Sequence, residues 1–415
     1  MRIAVVGSGI SGLAAAYFLS RKHEVSVFEK DPRIGGHTHT VTVDSSRGPL
    51  AVDTGFIVHN DRTYPNLVQL LAQLNVATQP SDMSFAVHCQ NTGFEYSSRG
   101  LNGFFAQRAN LVRVSQHRLL WEILRFYRKG RELLNNPASE SMCLGEVIEQ
   151  GRFHPQFKAR YLYPMASAVW SMSMQAIDSF PALTLLRFFE NHGLLGLNTH
   201  PQWKVIRGGS QNYLGPITAP FKDRIHTGAR IRSVIRGAAG VTLNFPDRPA
   251  LSFDHVVFAC HGNQVLPLLD DPTDTERDIM GRFATSRNEV CLHTDSSLLP
   301  RRPRARASWN YNLNPDPGAS ATVTYHMNRL QSLNLPEDYC VTLNDNGSIN
   351  SAKVLRRIEY HHPLYTRDAI QAQARWNEIS GVNRTHFCGA YWAYGFHEDG
   401  LNSALRVARS LGVEC

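Results

Sequence analysis

The sequence has no C-x-x-C pair, no long apolar run, no long Lys/Arg run and no low-complexity tract. Its seven cysteines (Cys89, Cys143, Cys260, Cys291, Cys340, Cys388 and Cys415) are odd in number and unpaired in spacing. That excludes a disulfide framework or a thiolate zinc site and predicts a reduced, intracellular protein. No apolar stretch nears the roughly 20 residues that span a bilayer. Arg2 leads straight into a strand-like run, so no signal peptide is expected. His37-Thr38-His39 and His361-His362 lack partners at metal-ligand spacing, so no metal is expected. No G-x-S-x-G elbow points to a serine hydrolase. Lysine is scarce, and arginine carries most of the net charge of +8. The basic residues are spread out, which argues against nucleic acid and for nucleotides, acidic substrates or anionic headgroups as partners.

What is present begins at the first residues of a chain of 415, long enough for two domains. Ile3–Val6 reads as a buried parallel strand, Ser11–Ser20 as a small-residue helix and Val25–Glu29 as a second strand: a βαβ unit. Gly7, Gly9 and Gly12 form G-x-G-x-x-G at its turn. The first glycine permits the turn, the second lets backbone approach a pyrophosphate, and the third lets helix pack on strand. Ile10 and Ser11 open the helix whose N-terminus faces the negative charge. Glu29, followed by Lys30, ends the second strand about 20 residues on, where a carboxylate accepts ribose hydroxyls.

Farther along, Ala229–Val234, Val241–Phe245 and His255–Ala259 read as a β-meander feeding a last buried strand. Asn110–Leu134 is the clearest amphipathic helix, with Leu119, Leu120, Ile123, Leu124 and Tyr127 on one stripe. A helix is predicted over Asp178–Leu195, starting near Pro181, and another over Leu401–Leu411.

Arg33-Ile34-Gly35-Gly36-His37 resembles the R-x-G-G-R extension of the flavin amine oxidase, protoporphyrinogen oxidase and phytoene desaturase superfamily, with His37 in place of the final arginine. Asp53-Thr54-Gly55, followed by Phe56, resembles the superfamily's D-x-G. Phe387-Cys388-Gly389-Ala390 resembles its strand and glycine at the flavin ribityl chain, although the common acid is Ala390 here. Trp203 with Gly208-Gly209-Ser210 resembles the segment beside the flavin, and Ile231 holds the position whose backbone meets the adenine. Gly395-Phe396-His397-Glu398-Asp399-Gly400, with Leu401, opens a helix aimed at the flavin; Glu398 and Asp399 either contact the flavin or cap that helix. The resemblance implies non-covalent FAD. Cys388 beside Gly389 does not align with the cysteine of covalent amine oxidases.

Longer strings carry the resemblance over essentially the whole chain, among them Tyr161-Leu162-Tyr163-Pro164-Met165, Ala168-Val169-Trp170-Ser171, Ser308-Trp309-Asn310-Tyr311 and Thr324-Tyr325-His326-Met327-Asn328. They resemble a bacterial family of predicted NAD/FAD-binding, amine-oxidase-like flavoproteins. Some of its members look like desaturases of methylated acyl chains and are linked with lipid methyltransferases. The fold so implied is α/β plus α+β: a Rossmann-like, GR2-type FAD-binding domain from residues 1–75, 200–265 and 385–415, and an inserted substrate domain of mixed sheet and helices from 76–199 and 266–384.

The implied activity is hydride transfer from an apolar, lipid-linked acyl substrate to FAD. The lysine that holds a water near the flavin in amine oxidases is absent from Asn288-Glu289-Val290-Cys291-Leu292-His293, which weakens an amine substrate. The alternatives are an amine or ring-compound oxidase and a non-catalytic flavoprotein partner of a lipid methyltransferase. Candidate proton handlers are His326, Tyr325, His397 and Tyr311; Tyr161, Tyr163, Trp170 and Trp309 are candidates for a substrate tunnel or for ordinary core. A cytoplasmic location is expected. Contact with the inner membrane face stays open, through the 110–134 helix with Trp121 and Phe126 or the basic string Arg301-Arg302-Pro303-Arg304-Ala305-Arg306, each of which also reads as an ordinary helix or solvated loop. The oligomeric state is left open.

Overall fold

A computed structural model describes residues 1–414 except 90, 137, 138, 140, 171–176, 198 and 314–321. Five short parallel strands form one sheet in the order Ile225–His226, Glu24–Phe28, Arg2–Val6, His255–Phe258 and Thr385–Phe387. Both faces of its centre are covered, so Ile3–Val6 and Val256–Phe258 are apolar at every position rather than alternating. Three separated stretches of chain meet in this sheet. The helix Ile10–Leu19 follows the first strand and is buried on nearly every side. A buried guanidinium fastens the sheet's edge to its surroundings. Arg236 Nη2 donates to Glu276 Oε2 at 2.9 Å, and Nη1 donates to Thr385 Oγ1 at 3.3 Å on the edge strand.

A mixed seven-stranded sheet forms the second layer, ordered Val354–Pro363, Thr285–His293, Cys340–Leu343, Thr322–His326, Trp309–Asn312, Phe85–His88 and Glu95–Ser97. Its register sorts side chains onto two faces. Phe85, Val87, Tyr96, Tyr311, Val323, Tyr325, Val341, Leu343, Val290 and Leu292 share one face. They join one buried cluster with Phe126, Phe157 and Leu186 of the helical layer. Thr324, Thr342, His293 and His326 take the opposite face, where His293 Nε2 and Thr342 Oγ1 lie 2.7 Å apart.

Several boundaries differ from the sequence expectations. The predicted helix Asn110–Leu134 splits, because Arg113 is extended (φ −88°, ψ 114°) between a 3-10 turn, Arg108–Val112, and the helix Val114–Leu134. The helix after Pro181 is Ala182–Asn191, shorter than Asp178–Leu195, and Gly193 turns the chain away at φ +69°. The meander consists of Ser233–Gly237, Gly240–Asn244 and Leu251–Phe253. Ala229, expected to begin a strand, lies in a turn whose amide donates to Glu29 O at 2.8 Å. The last helix starts four residues early, at His397, and runs to Ser410. Gly400 therefore sits inside its first turn. A Cβ there would come within 2.8 Å of Ile10 and Ser11, so the residue that signals a break from sequence permits two helices to touch.

The buried core of the parallel-sheet region also takes in Ile279, Met280 and Phe283, and Ala369, Trp376 and Ile379. Those residues fall outside the segments assigned to it from sequence.

Candidate flavin site

The glycine turn is as crowded as the motif requires and open at one point. A Cβ at Gly12 would lie 1.9 Å from Gly7 O, whereas a Cβ at Gly9 would meet nothing within 4 Å. The open side of Gly9 is where a pyrophosphate has room to meet backbone N–H groups. Gly36, at φ +56°, closes the cradle from the other side, its Cβ position 3.1 Å from Gly9 Cα. Gly35 N donates to Ser8 O at 2.9 Å and fixes the two glycine loops together. The N-termini of the helices Ile10–Leu19 and His397–Ser410 pack side by side at this point through Gly400. Their partial positive charges therefore reinforce one another.

Glu29 is buried at the end of its strand. It accepts from Ser8 N at 2.9 Å, Ser8 Oγ at 2.6 Å and Asp31 N at 3.0 Å. A carboxylate has about four acceptor positions, so room for a ribose hydroxyl is left. The exposed Lys30 follows it, and the turn at Ala229 brings Ile231, partly buried against the same core, to this end of the sheet.

Arg33, half-buried, donates to Ile34 O at 3.4 Å. His37 stacks on Tyr360 at 4.9 Å and lies 5.3 Å from His362. Its Nε2 is buried without a protein partner. Burial, and next the neighbouring His362 and His261, hold His37 well below the usual histidine range. A neutral ring with an unpaired nitrogen stands where the resembling families place a fixed positive charge. Thr54 Oγ1 donates to His39 O at 3.0 Å, and a Cβ at Gly55 would strike His37 O at 2.2 Å. Phe56 N donates to His37 O at 2.7 Å, and the Phe56 ring stacks on His397 at 3.6 Å. Asp53 Oδ1 accepts from Thr40 Oγ1, Ser210 N and Ser210 Oγ. Burial pushes this carboxyl up to about 6. Ser210 belongs to the Gly208-Gly209-Ser210 string, and Trp203 stacks on His192 at 5.7 Å.

At the C-terminal side, Gly389 N donates to Ser403 Oγ at 3.0 Å. The Cys388 thiol is fully buried behind the cradle against Ser11 O, and burial pushes it up, which leaves it un-ionised and unreactive. Glu398 does not cap its own helix. Its Oε1 accepts from Asn66 N at 3.0 Å and Asn66 Nδ2 at 2.9 Å, and its Oε2 accepts from Leu67 N at 2.9 Å. It thus caps the helix Pro65–Gln73, which lacks an acid of its own in its first turn. Asp399 Oδ2 accepts from Phe396 N at 2.9 Å and caps the helix His397–Ser410; burial raises its carboxyl to about 7. Leu401 is core. Both acids offered as flavin contacts thus serve as helix caps.

The four candidate proton handlers do not converge. Tyr325 and Tyr311 lie on the aromatic sheet face, Tyr325 edge-on to Trp309 at 4.8 Å. His326 is on the other face, with its Nε2 2.9 Å from Asp338 Oδ1. His397 is buried beside Thr38, with Nε2 3.0 Å from Thr38 Oγ1, and Thr38 also bonds the Tyr213 hydroxyl. Burial drops His397 to about 3, so it is neutral and acts as a strut between the last helix and the His37–Thr38 loop. Tyr161 and Tyr163 are buried in the helical core, Tyr161 bonded to Tyr127 at 3.0 Å. The side chain of Trp170 lies outside the described residues.

Sequence reasoning missed Tyr360, His362 and His261. They surround His37 from more than two hundred residues away, on a strand and a loop without a motif. Asn288, in the strand string that lacks the amine-oxidase lysine, lies 3.2 Å through its Nδ2 from His362 Nδ1. Among the described residues no group of His, Cys, Asp and Glu could hold a metal ion.

Two glycine loops in contact, one open glycine, an unpaired buried nitrogen and two aligned helix N-termini suit the phosphates and sugar of a dinucleotide. A family model described as flavin-containing amine oxidoreductase matches residues 10–333. The chain belongs to that family, and its cofactor is FAD. A protein of Mycobacterium tuberculosis named as a flavin-containing monoamine oxidase, AofH, is 26% identical over 254 residues, 58% of this chain and 53% of its own length. The chain thus spans about half the length of that relative. A redesigned putrescine oxidase superposes with a TM-score of 0.72 at 14% identity, covering 99% of this chain and 98% of its own. A fatty acid isomerase from P. acnes that produces CLA gives 0.71 at 14%, covering 99% of each chain. The structural likenesses establish a shared fold: a Rossmann-like FAD domain with a mixed substrate domain.

Proposed function

We propose that the protein is an FAD-dependent oxidoreductase in which a hydride passes from an apolar, lipid-linked acyl substrate to flavin N5. The single observation that carries the substrate class is the acid-free face of the seven-stranded sheet. Among the described residues it presents aromatic and aliphatic side chains from Tyr96 and Phe85 across to Val290 and Leu292. It then continues through Asn288 and Tyr360 to the ring of His37. An ammonium substrate gains from a carboxylate counter-ion, and an acyl chain gains from apolar area. The neighbouring buried acids are engaged elsewhere: Glu95 with Arg302, Glu122 with Arg125, Glu398 and Asp399 with backbone amides.

The chain's own residues have limited work in this reading. The glycine loops and paired helix ends hold the phosphates, Glu29 holds the ribose, and the sheet face orients the chain and excludes water. FAD, when bound, supplies the hydride acceptor. Tyr325 and Tyr311 stand on the face a substrate would touch; their hydroxyls are pushed up by burial and remain protonated.

Anaerobic titration of the flavoprotein tests this. Bleaching of the flavin absorbance by acyl lipids and not by amines is the expected result. Bleaching by amines alone overturns it and favours the amine oxidase reading that AofH and putrescine oxidase suggest. No bleaching by either class, with tight binding to a lipid methyltransferase, favours the non-catalytic alternative.

A further inference from the structure

Large apolar side chains at the surface are concentrated in one stretch. Leu101, Leu111, Val112, Val114, Trp121 and Leu124 are all exposed, Val112 by 86%, Val114 by 75% and Trp121 by 58%. They belong to one compact substructure. The Gln116 side chain donates to Phe104 O at 3.1 Å, His117 Nε2 lies 2.8 Å from Leu111 O, and Arg108 Nη1 donates to Phe105 O at 3.1 Å. The short helix Gly100–Phe104, the turn Arg108–Val112 and the start of the helix Val114–Leu134 therefore form a single protrusion.

On the long helix, Val114, Trp121 and Leu124 fall on the face opposite Leu119, Ile123 and Phe126, which are buried. The amphipathic pattern thus has its inward stripe in the core and a second apolar stripe facing out. Isolated exposed apolar residues need no explanation, but six in one protrusion do.

The charge around them is mostly positive, with Arg99 paired to Asp82 at 4.0 Å. From Arg99 to Trp121 the chain carries Arg99, Arg108, Arg113 and Arg118 and no aspartate or glutamate. Arg108 and Arg113 donate to Asn102 and Asn110. Among the described residues no carboxylate pairs with Arg108, Arg113 or Arg118. Arg125 lies beneath Trp121 at 5.1 Å and is neutralised by the buried Glu122. The exposed Arg301 and Arg304 extend the cationic rim, because Ser97 Oγ donates to Arg304 O and Ser97 lies against Gly103.

We infer that this protrusion docks the protein peripherally on an anionic lipid surface, with Val112, Val114 and Trp121 entering the headgroup–acyl boundary and the arginines meeting the phosphates. A tryptophan and short aliphatic side chains inside a guanidinium ring match the depth profile of a lipid interface. A predominantly cationic rim, with Arg108, Arg113 and Arg118 free of carboxylate partners among the described residues, is self-repelling against a second copy of the chain and complementary to anionic headgroups. No described helix is long and apolar enough to cross a membrane, so attachment is at the surface.

Flotation of the purified flavoprotein with phosphatidylcholine vesicles, with and without phosphatidylglycerol, tests the inference. Binding is expected only with the anionic lipid and declines with salt. Arg113→Gln and Arg118→Gln should each weaken it about fivefold, and the double variant V112D/V114D should abolish it. These side chains are exposed, so flavin content and thermal midpoint serve as checks that the variants are folded. Equal binding to neutral vesicles, or no binding to either, overturns the inference. So does a concentration-dependent dimer in lipid-free buffer that V112D/V114D dissolves, which would make the protrusion a contact between copies. Neither outcome depends on which substrate bleaches the flavin.

Discussion

The cradle around Gly7–Gly12 is built from atoms that leave no room, and the aromatic face of the seven-stranded sheet from side chains that leave no charge. In the first, a single methyl group decides the outcome, since a Cβ at Gly12 would overlap Gly7 O and one at Gly9 would not. In the second, ten side chains from six strands share the task, and volume can be redistributed among them. Cofactor binding thus rests on backbone geometry, and the proposed substrate class on the absence of a functional group.

The largest expected effect comes from breaking the cradle. Gly12→Val should give protein that is colourless or insoluble, read by the flavin-to-protein ratio. Gly9→Ala should leave the thermal midpoint of the apoprotein unchanged and weaken FAD by about tenfold or more, because the added methyl occupies only the space meant for phosphate. If the two variants behave alike, the distinction between packing and binding glycines fails. On the sheet, Val341→Glu places an acid on the apolar face and should cost about 3 kcal/mol or more in denaturant unfolding. Val341→Leu should stay within about 1.5 kcal/mol.

Acid should strain both regions together. Burial lowers His59, His88, His192, His261 and His362 to about 4 and His397 to about 3, from an ordinary 6.5. The unfolded chain takes up these protons first. Their contribution to stability is therefore complete above pH 6.5 and is lost as pH falls towards 4. Asp53 and Asp399, raised to about 6 and about 7, act in the opposite sense, favouring the fold as pH falls. Because the histidines outnumber them, the thermal midpoint should drop between pH 6.5 and 4; a flat profile contradicts the assignment of neutral buried rings.

Smaller effects separate individual residues. Glu398→Ala removes the cap of the helix Pro65–Gln73 and should cost about 1–3 kcal/mol. Glu398→Gln keeps acceptor capacity on one side and should recover part of it. Tyr325→Phe should change stability by less than about 1.5 kcal/mol. It slows flavin reduction if its hydroxyl meets the substrate. His326→Gln, on the far face, should leave that rate alone.

The cradle was legible in the sequence because its rules are local: three glycines at fixed spacing, an acid at a strand end and a second glycine pair. The sheet face was not. Thr322–His326 is buried at every position, so no alternation of burial marks which residues lie on the aromatic face. Tyr325 and His326 were read as one polar string, although the pleat sends them to opposite faces. The same limit hid Tyr360 and His362, whose partner His37 lies more than three hundred residues away. The role of Glu398 was undecidable for another reason. Capping of a neighbouring helix depends on tertiary placement, and the sequence around residue 65 carries no trace of its distant acid.

That distant cap has a consequence for how the protein is made. The edge strand Thr385–Phe387, the helix His397–Ser410 and the Glu398 carboxylate that steadies the Pro65–Gln73 helix all come from residues 385–410, more than three hundred residues after the glycine turn. A polypeptide emerging from the ribosome carries its glycine turn long before residues 385–410, and until those are made it lacks one wall of the cofactor's seat. Flavin capture therefore waits until residues 385–410 have joined the glycine turn. Chains that stop short of residue 397 should be unable to retain the cofactor and be cleared as unfilled protein.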